Sequence, residues 1–219
     1  AILLGADGLG DSAAEQVVDA AVDLAAITGN IGKPSSGIYP LFHGANTIGA
    51  RDMGATPGDN GLGIAGMISK MAGGANSGIK AALVMADGVS GYTPALDGLA
   101  PALDNPEFLA VSAVFDSEVT ANADVVLPVA TYAEQSATVT NVERRIQLMR
   151  VTAEPRHEER TGWETIAGIA SAMGNSEFEY ASASAVFAEI ADNVENYKGL
   201  SHGRLQNGGV QWPVVADDS

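Results

Sequence analysis

Cysteine is absent from all 219 residues, which removes disulfides, thiolate zinc sites, iron–sulfur ligation and a cysteine nucleophile at once. Basic side chains are also few, 11 Lys and Arg against 27 acids, for a formal net charge of −16. A field of that sign repels phosphate backbones, which argues against a nucleic-acid partner and against docking on anionic lipid by charge. Aromatics make up only 5% of the chain, so the core must be built mostly from Ala, Val, Ile and Leu. No run reaches the roughly 18 apolar residues that span a bilayer. Ala1-Ile2-Leu3-Leu4-Gly5 is too short for a signal-peptide core and has no basic flank. The chain lacks an initiator Met, opens inside what reads as a strand, and is expected to be a piece of something longer.

What is present describes a buried, globular chain, 46% apolar and 17% charged. Residues 1–5 predict a buried strand, followed by the loop Gly5-Ala6-Asp7-Gly8-Leu9-Gly10. Asp11 or Ser12 is the expected N-cap of a helix carrying Val17, Val18, Ala21, Val22, Leu24 and Ala25 at helical spacing, stopped by Thr28-Gly29-Asn30. Residues 31–63 show little periodicity and much Gly, Pro and Asn, and read as a functional loop or an excursion. Strands are expected at 79–85, 108–115 and 124–127, with Asp116-Ser117 as a helix N-cap between the last two. Short, almost continuously apolar strands joined by helical crossovers indicate an α/β fold with a doubly wound, mostly parallel sheet. After Gly162 two helical stripes follow: Trp163, Ile166, Ile169, Ala170 and Met173, then Val186, Phe187, Ile190 and Val194. The tail from Gly199 reads as loop.

Catalytic residue types form no convincing constellation. The spacing at Gly5, Gly8 and Gly10 is G-x-x-G-x-G instead of G-x-G-x-x-G, and no acidic residue closes a second strand about 20 residues on. The histidines, His43, His157 and His202, have no metal-triad spacing, the serines no nucleophile elbow, and adjacent carboxylates such as Glu158-Glu159 diverge. More specific is Asn141-Val142-Glu143-Arg144-Arg145-Ile146-Gln147. Five of the seven arginines lie between Arg144 and Arg160. Arg clamps carboxylates and phosphates bidentately; the plainer expectation is that these arginines pair with Glu143, Glu154, Glu158 and Glu159.

With these residues the chain resembles the molybdopterin oxidoreductases. Thr138-Val139-Thr140-Asn141-Val142-Glu143-Arg144-Arg145-Ile146-Gln147 is similar to their G-T-F-T-N-x-E-R-R-V-Q signature. Ala123-Asp124-Val125-Val126-Leu127-Pro128 with Glu134 resembles the A-D-V-V-L-P…E stretch before it. Thr28-Gly29-Asn30-Ile31-Gly32-Lys33-Pro34, Gly49-Ala50-Arg51-Asp52-Met53-Gly54, Trp163 with Ile166, and Gln211-Trp212-Pro213 resemble further segments, in order, from residue 1 to about 213. The resemblance implies the Rossmann-like central domain of the formate dehydrogenase and DMSO reductase type of fold. It divides the chain into 1–60, the end of a neighbouring α/β subdomain with a glycine-rich excursion; 61–213, the central domain; and 214–219, a tail.

Departures from the family pattern narrow the expectation. Phe42 stands where formate dehydrogenases carry Arg, and Asn46 alone survives of the following polar run. The family's G-E-N-P is Ala86-Asp87-Gly88-Val89, and no carboxylate follows the strand Val111-Ser112-Ala113-Val114-Phe115 until Asp116. The resemblance therefore implies a vestigial or altered molybdopterin guanine dinucleotide pocket at Asn46, Asp87, Asp116, Asn141 and Arg145, with no catalytic or metal residue and no cofactor in this segment. The leading expectation is a structural or docking domain of the large iron–sulfur subunit of NADH–quinone oxidoreductase, respiratory complex I. Its clusters would be bound only in an N-terminal part outside this chain, and its partners would be other peripheral-arm subunits. Its place would be peripheral, on the cytoplasmic side of a bacterial cell membrane, with no direct membrane insertion. The alternative is a fragment of an active molybdopterin-dependent oxidoreductase such as formate dehydrogenase. A third reading has Arg144, Arg145 and Arg150 gripping an anionic partner.

Overall fold

In a computed structural model the described residues are 1–5, 14–42, 44–74, 78–86 and 99–214. They form two compact units, each assembled from separated stretches: 1–55, 138–148 and 190–219 in the first, 56–137 and 149–189 in the second. The expected glycine loop and its N-cap, His43 and Asp87 fall outside the described residues.

The second unit carries the expected parallel sheet. Strands β3 (Ala81–Ala86), β4 (Phe108–Ala113) and β5 (Val125–Pro128) lie side by side in sequence order, all parallel, with Val84 opposite Val111 and Val111 opposite Val126. On one face, Leu109, Val111 and Ala113 alternate into a core with Met71, Leu99, Ala102 and Leu103, joined by Ile68, Ala82, Val84 and Val119. The helices that supply it are α3 (Ile64–Met71), α4 (Leu99–Ala102) and α5 (Glu118–Ala121). A central parallel strand is covered on both faces, and Ala110 and Ser112 on the other side of β4 are buried as well. Ser117 caps α5 as expected, its hydroxyl accepting Thr120 N while Thr120 Oγ1 accepts Ser117 N.

Asp124, the acid of the A-D-V-V-L-P segment, sets the register between β4 and β5. Its Oδ2 accepts the Leu109 N–H at 2.7 Å, and its own N–H donates to the Leu109 carbonyl at 2.9 Å. Later in the unit, α6 (Gly162–Ala172) starts from a capping box in which Thr161 and Glu164 exchange side-chain to backbone bonds. The stripe expected on α6 is not its buried face. Thr165 is the buried residue, whereas Ile166 is 45% and Met173 82% exposed. Helix α7 (Ala183–Asn193) does bury Phe187, with Ala191 one turn later.

The first unit begins with β1 (Ile2–Leu4), parallel to β2 (Ile38–Pro40), between which runs α1 (Ala14–Ile27). Residues 31–63 are therefore not structureless: β1 offers a strand edge that Ile38-Tyr39-Pro40 completes, and α2 (Thr47–Asp52) follows. β1 is only partly buried, with Leu3 exposed. α1 buries Ala21 and Ala25, whereas Val17, Val18, Val22 and Leu24 stay exposed. A 3₁₀ turn at Glu195–Tyr197 leads to the tail, and the tail from Gly199, expected as loop, holds a 3₁₀ turn at Arg204–Asn207 and a short strand β8 (Val210–Gln211). β8 pairs antiparallel with β7 (Arg145–Met149), which neighbours β6 (Ala137–Thr140). Four residues link β6 to β7, too few for anything but a hairpin. Gly209 permits the close approach of β8, since a Cβ there would run into the Ile146 carbonyl.

Two substitutions in β4 contrast. Leu109→Ala empties a fully buried site and should cost about 2–5 kcal/mol in urea unfolding. The Ser112 hydroxyl is buried with no hydrogen-bond partner among the described residues, so Ser112→Ala should leave the unfolding midpoint unchanged or raise it; a loss above about 1 kcal/mol would reveal a partner.

Candidate functional site

In parallel α/β folds the crevice beyond the carboxyl ends of the strands is where ligands bind. The chain leaves the carboxyl end of β2 through Leu41 and Phe42, and there the first unit holds a cleft of about 300 Å³. Pro40, Phe42, Gly44, Ala45 and Ile48 line it from one side, and Val139, Thr140, Asn141, Val142 and Gln147 of the hairpin from the other. The Arg51 guanidinium lies 5.7 Å from the centre of the Phe42 ring.

Asn141 builds the hairpin turn. Its Oδ1 accepts the N–H groups of Glu143 at 2.9 Å and Arg145 at 3.0 Å, while Asn141 N donates to the Arg145 carbonyl and Arg144 N to the Asn141 carbonyl. This local side-chain to backbone bonding is the habit that makes Asn a turn residue. The turn forces Arg144 to φ +57°, a left-handed conformation that costs a residue with a Cβ about 1 kcal/mol or more. Arg144 has compensating contacts. Its guanidinium sits 3.6 Å from Asp52 Oδ1 and 5.7 Å from the centre of the Trp212 ring, and its carbonyl accepts Trp212 N at 3.0 Å. The Arg144 partner is thus Asp52, not the adjacent glutamates. Arg145 reaches Gln211 Oε1 at 3.2 Å, and Gln211 Nε2 donates back to the Glu143 carbonyl.

Asn46 precedes α2 without capping it. Its Oδ1 instead accepts the Thr140 N–H at 2.9 Å. Gly49 has to be glycine here, because a Cβ would collide with the Asn46 carboxamide. Behind Thr140, its hydroxyl lies 2.7 Å from the hydroxyl of buried Tyr197, which donates to Asp52 Oδ2 at 3.2 Å. Burial first, and then the Asp52 carboxylate, push the Tyr197 phenol above its ordinary pKa, so it stays a neutral donor.

Of the residues expected at a site, the structure brings Asn46, Asn141 and Arg145 together around one hairpin, and of these three Asn141 is the one among the cleft-lining residues. Asp116 belongs to the second unit, exposed after β4, and is not among the cleft residues. Asp87 lies outside the described residues. Sequence reasoning missed Thr140, Asp52 and Tyr197 as members of one cluster; the G-A-R-D-M-G and T-N-V-E-R-R segments carried two of them, and nothing in the sequence marks Tyr197. Among the described residues no group of three or more His, Cys, Asp or Glu could hold a metal, and no helix is long and apolar enough to cross a membrane. The described cleft lining has the amides of Asn141 and Gln147, the threonines Thr47 and Thr140 and main-chain polar groups between apolar walls, and no carboxylate, imidazole or thiolate. It fits a planar, hydrogen-bonding organic group and does not fit direct ligation of a metal.

In the second unit, Glu134 accepts both the N–H and the hydroxyl of Thr131, at 2.8 and 2.9 Å. These bonds, the backbone one foremost, hold its carboxyl below the ordinary range, with a smaller pull from Arg156. A lowered folded-state pKa stabilises above the unfolded value and is lost as pH falls through the folded one. The urea midpoint of the wild type should therefore fall more steeply than that of Glu134→Gln between neutral and about pH 3. Parallel curves would show that Glu134 is not the group responsible. Asn141→Ala unpairs two turn amides and should cost about 1–2 kcal/mol, read by the same unfolding experiment.

Comparison with known proteins adds the following. The family profile described as molybdopterin oxidoreductase matches residues 1–172. The chain is 33% identical over 92% of its length to the F420-dependent formate dehydrogenase subunit alpha of Methanocaldococcus jannaschii, covering 33% of that protein. It is also 33% identical to the F420-dependent formate dehydrogenase 1 subunit alpha of Methanococcus maripaludis, over 90% of this chain and 32% of that one. Against the assimilatory nitrate reductase catalytic subunit of Bacillus subtilis it is 30% identical, over 90% of this chain and 32% of that one. The chain thus spans about a third of the length of these curated relatives.

Proposed function

The chain belongs to the molybdopterin oxidoreductase family, and from this premise we propose that it is the α/β part of a molybdopterin-dependent oxidoreductase of formate dehydrogenase type. The observation that carries the reading is the 33% identity sustained over 92% of the chain to a formate dehydrogenase alpha subunit, with a nitrate reductase subunit close behind. The relatives named above are catalytic and formate dehydrogenase subunits, so the enzyme reading takes precedence over the docking domain of complex I that the departures at Phe42 and Asp87 suggested.

When bound, a molybdenum pterin guanine dinucleotide supplies the two-electron redox centre. The residues of the cleft would hold its organic part. Of the two carboxamides whose oxygens are bound to the backbone, that of Asn141 lines the cleft and would offer its nitrogen as a donor toward a heterocycle edge. Phe42, Val139 and Val142 line the apolar walls that exclude water from it. Arg145, on the hairpin beside the cleft and hydrogen-bonded to Gln211 of β8, would offer the positive charge that a phosphate needs in a chain otherwise poor in cations. The metal ligand must come from outside the cleft.

The test is metal and pterin analysis of the purified full-length parent protein, followed by dye assays. Near-stoichiometric molybdenum, pterin fluorescence after oxidation and formate-dependent dye reduction are expected; nitrate-dependent dye oxidation would move the substrate to the nitrate reductase branch. Neither molybdenum nor pterin in a folded, full-length protein would end the enzyme reading and restore the docking domain.

A further inference from the structure

Thr140 is held from two directions inside the first unit. Its main-chain N–H donates to Asn46 Oδ1 at 2.9 Å, and its hydroxyl meets that of Tyr197 at 2.7 Å. The sense of the second bond follows from chemistry. An ionised Asp52 only accepts, so the Tyr197 proton is committed to Asp52 Oδ2 and the Thr140 hydroxyl must donate to the Tyr197 oxygen. Thr140 and Tyr197 are each 3% exposed, where an unmade hydrogen bond is costly because water cannot replace it. Asp52 is steadied on its other oxygen by Arg144, which is itself docked on Trp212. The Tyr197 hydroxyl thus joins a line of contacts that starts at a cleft residue and ends on three separate segments of the unit.

We propose that Tyr197 is a positioning residue for the cleft. Its hydroxyl fixes Thr140, which lines the cleft between Val139 and Asn141, and the Thr140 N–H ties that wall to the carboxamide oxygen of Asn46, so the hairpin side of the cleft is held in place for the bound heterocycle. The proposal deepens the cofactor reading given above and rests on it for the identity of that heterocycle. The bond from Tyr197 to Thr140 stands on geometry alone.

The experiment uses the full-length parent protein with Tyr197→Phe, Thr140→Val and the double variant. Tyr197→Phe keeps the ring in its packing site, and Thr140→Val severs the same bond from the other end should the first variant fold poorly. Amide hydrogen exchange read by mass spectrometry should be roughly five- to tenfold faster for the peptide covering 138–145 in either single variant. Exchange of the β4 peptide 108–113, in the second unit, should be unchanged. The double variant should exchange no faster than Tyr197→Phe alone, because Thr140→Val removes an interaction that Tyr197→Phe has already removed. Both variants should also lose bound pterin on desalting that the wild type retains. Unchanged exchange at 138–145, acceleration spread equally over β4, additive effects in the double variant, or equal pterin retention would each overturn the proposal. A wild-type parent without pterin would instead defeat the cofactor reading, and the exchange measurements would then decide the role of Tyr197 by themselves.

Discussion

The carboxamide oxygen of Asn141, shared between the N–H groups of Glu143 and Arg145, is the constraint on which the first unit turns. It closes the link between β6 and β7 and holds Arg144 in a left-handed conformation. Arg144 in that position meets Asp52 and Trp212, and the end of β6 presents Thr140 to Asn46 and Tyr197. Segments widely spaced in the chain are thereby gathered on one hairpin. The cleft at the carboxyl end of β2 has this hairpin as one wall, so the geometry of the wall and the geometry of the turn are one problem.

The second unit shows the same economy with other atoms. Asp124 pairs both ways with Leu109 and sets the stagger of β4 against β5. Because side chains alternate along a strand, a slip by one residue would turn Leu109, Val111 and Ala113 away from Met71 and Leu103. Family-like motifs in this chain are thus largely architectural: Asp124 holds register, Gly49 makes room for Asn46, and Asn141 makes a turn. Persistence of such residues is expected whether or not a pocket is in use, which is why motif content alone could not separate an enzyme from a docking domain.

Much of the second unit was legible because its signals are local. Short apolar runs bounded by Gly, Pro or Asp predict the three parallel strands, and Ser117 announces its helix. Ile64, Met67, Ile68 and Met71 lie at the spacing of α3 and could have been read the same way. The α6 stripe forms a helix but is only partly covered: periodicity says that residues share a face, not that the face is buried, and Trp163 and Ile169 are half-buried while Ile166 and Met173 are exposed. In the first unit, Ile38-Tyr39-Pro40 is too short to signal a strand and becomes one only because β1 supplies a partner. Val210-Gln211 does so because β7 lies alongside.

From its residues alone this chain was bound to be an apolar, acid-rich α/β protein without thiolate chemistry, carrying a molybdopterin oxidoreductase signature. These are properties of composition, short-range patterning and motif order, which need no knowledge of what touches what. Only the tertiary structure decided that Asn46 meets the hairpin that carries Asn141 and Arg145, that Arg144 pairs with Asp52 instead of its neighbouring glutamates, and that Tyr197 stands behind Thr140. Contacts of that kind depend on long-range chain closure, and a hydrogen bond between residues 57 positions apart leaves no periodic trace in the sequence that makes it.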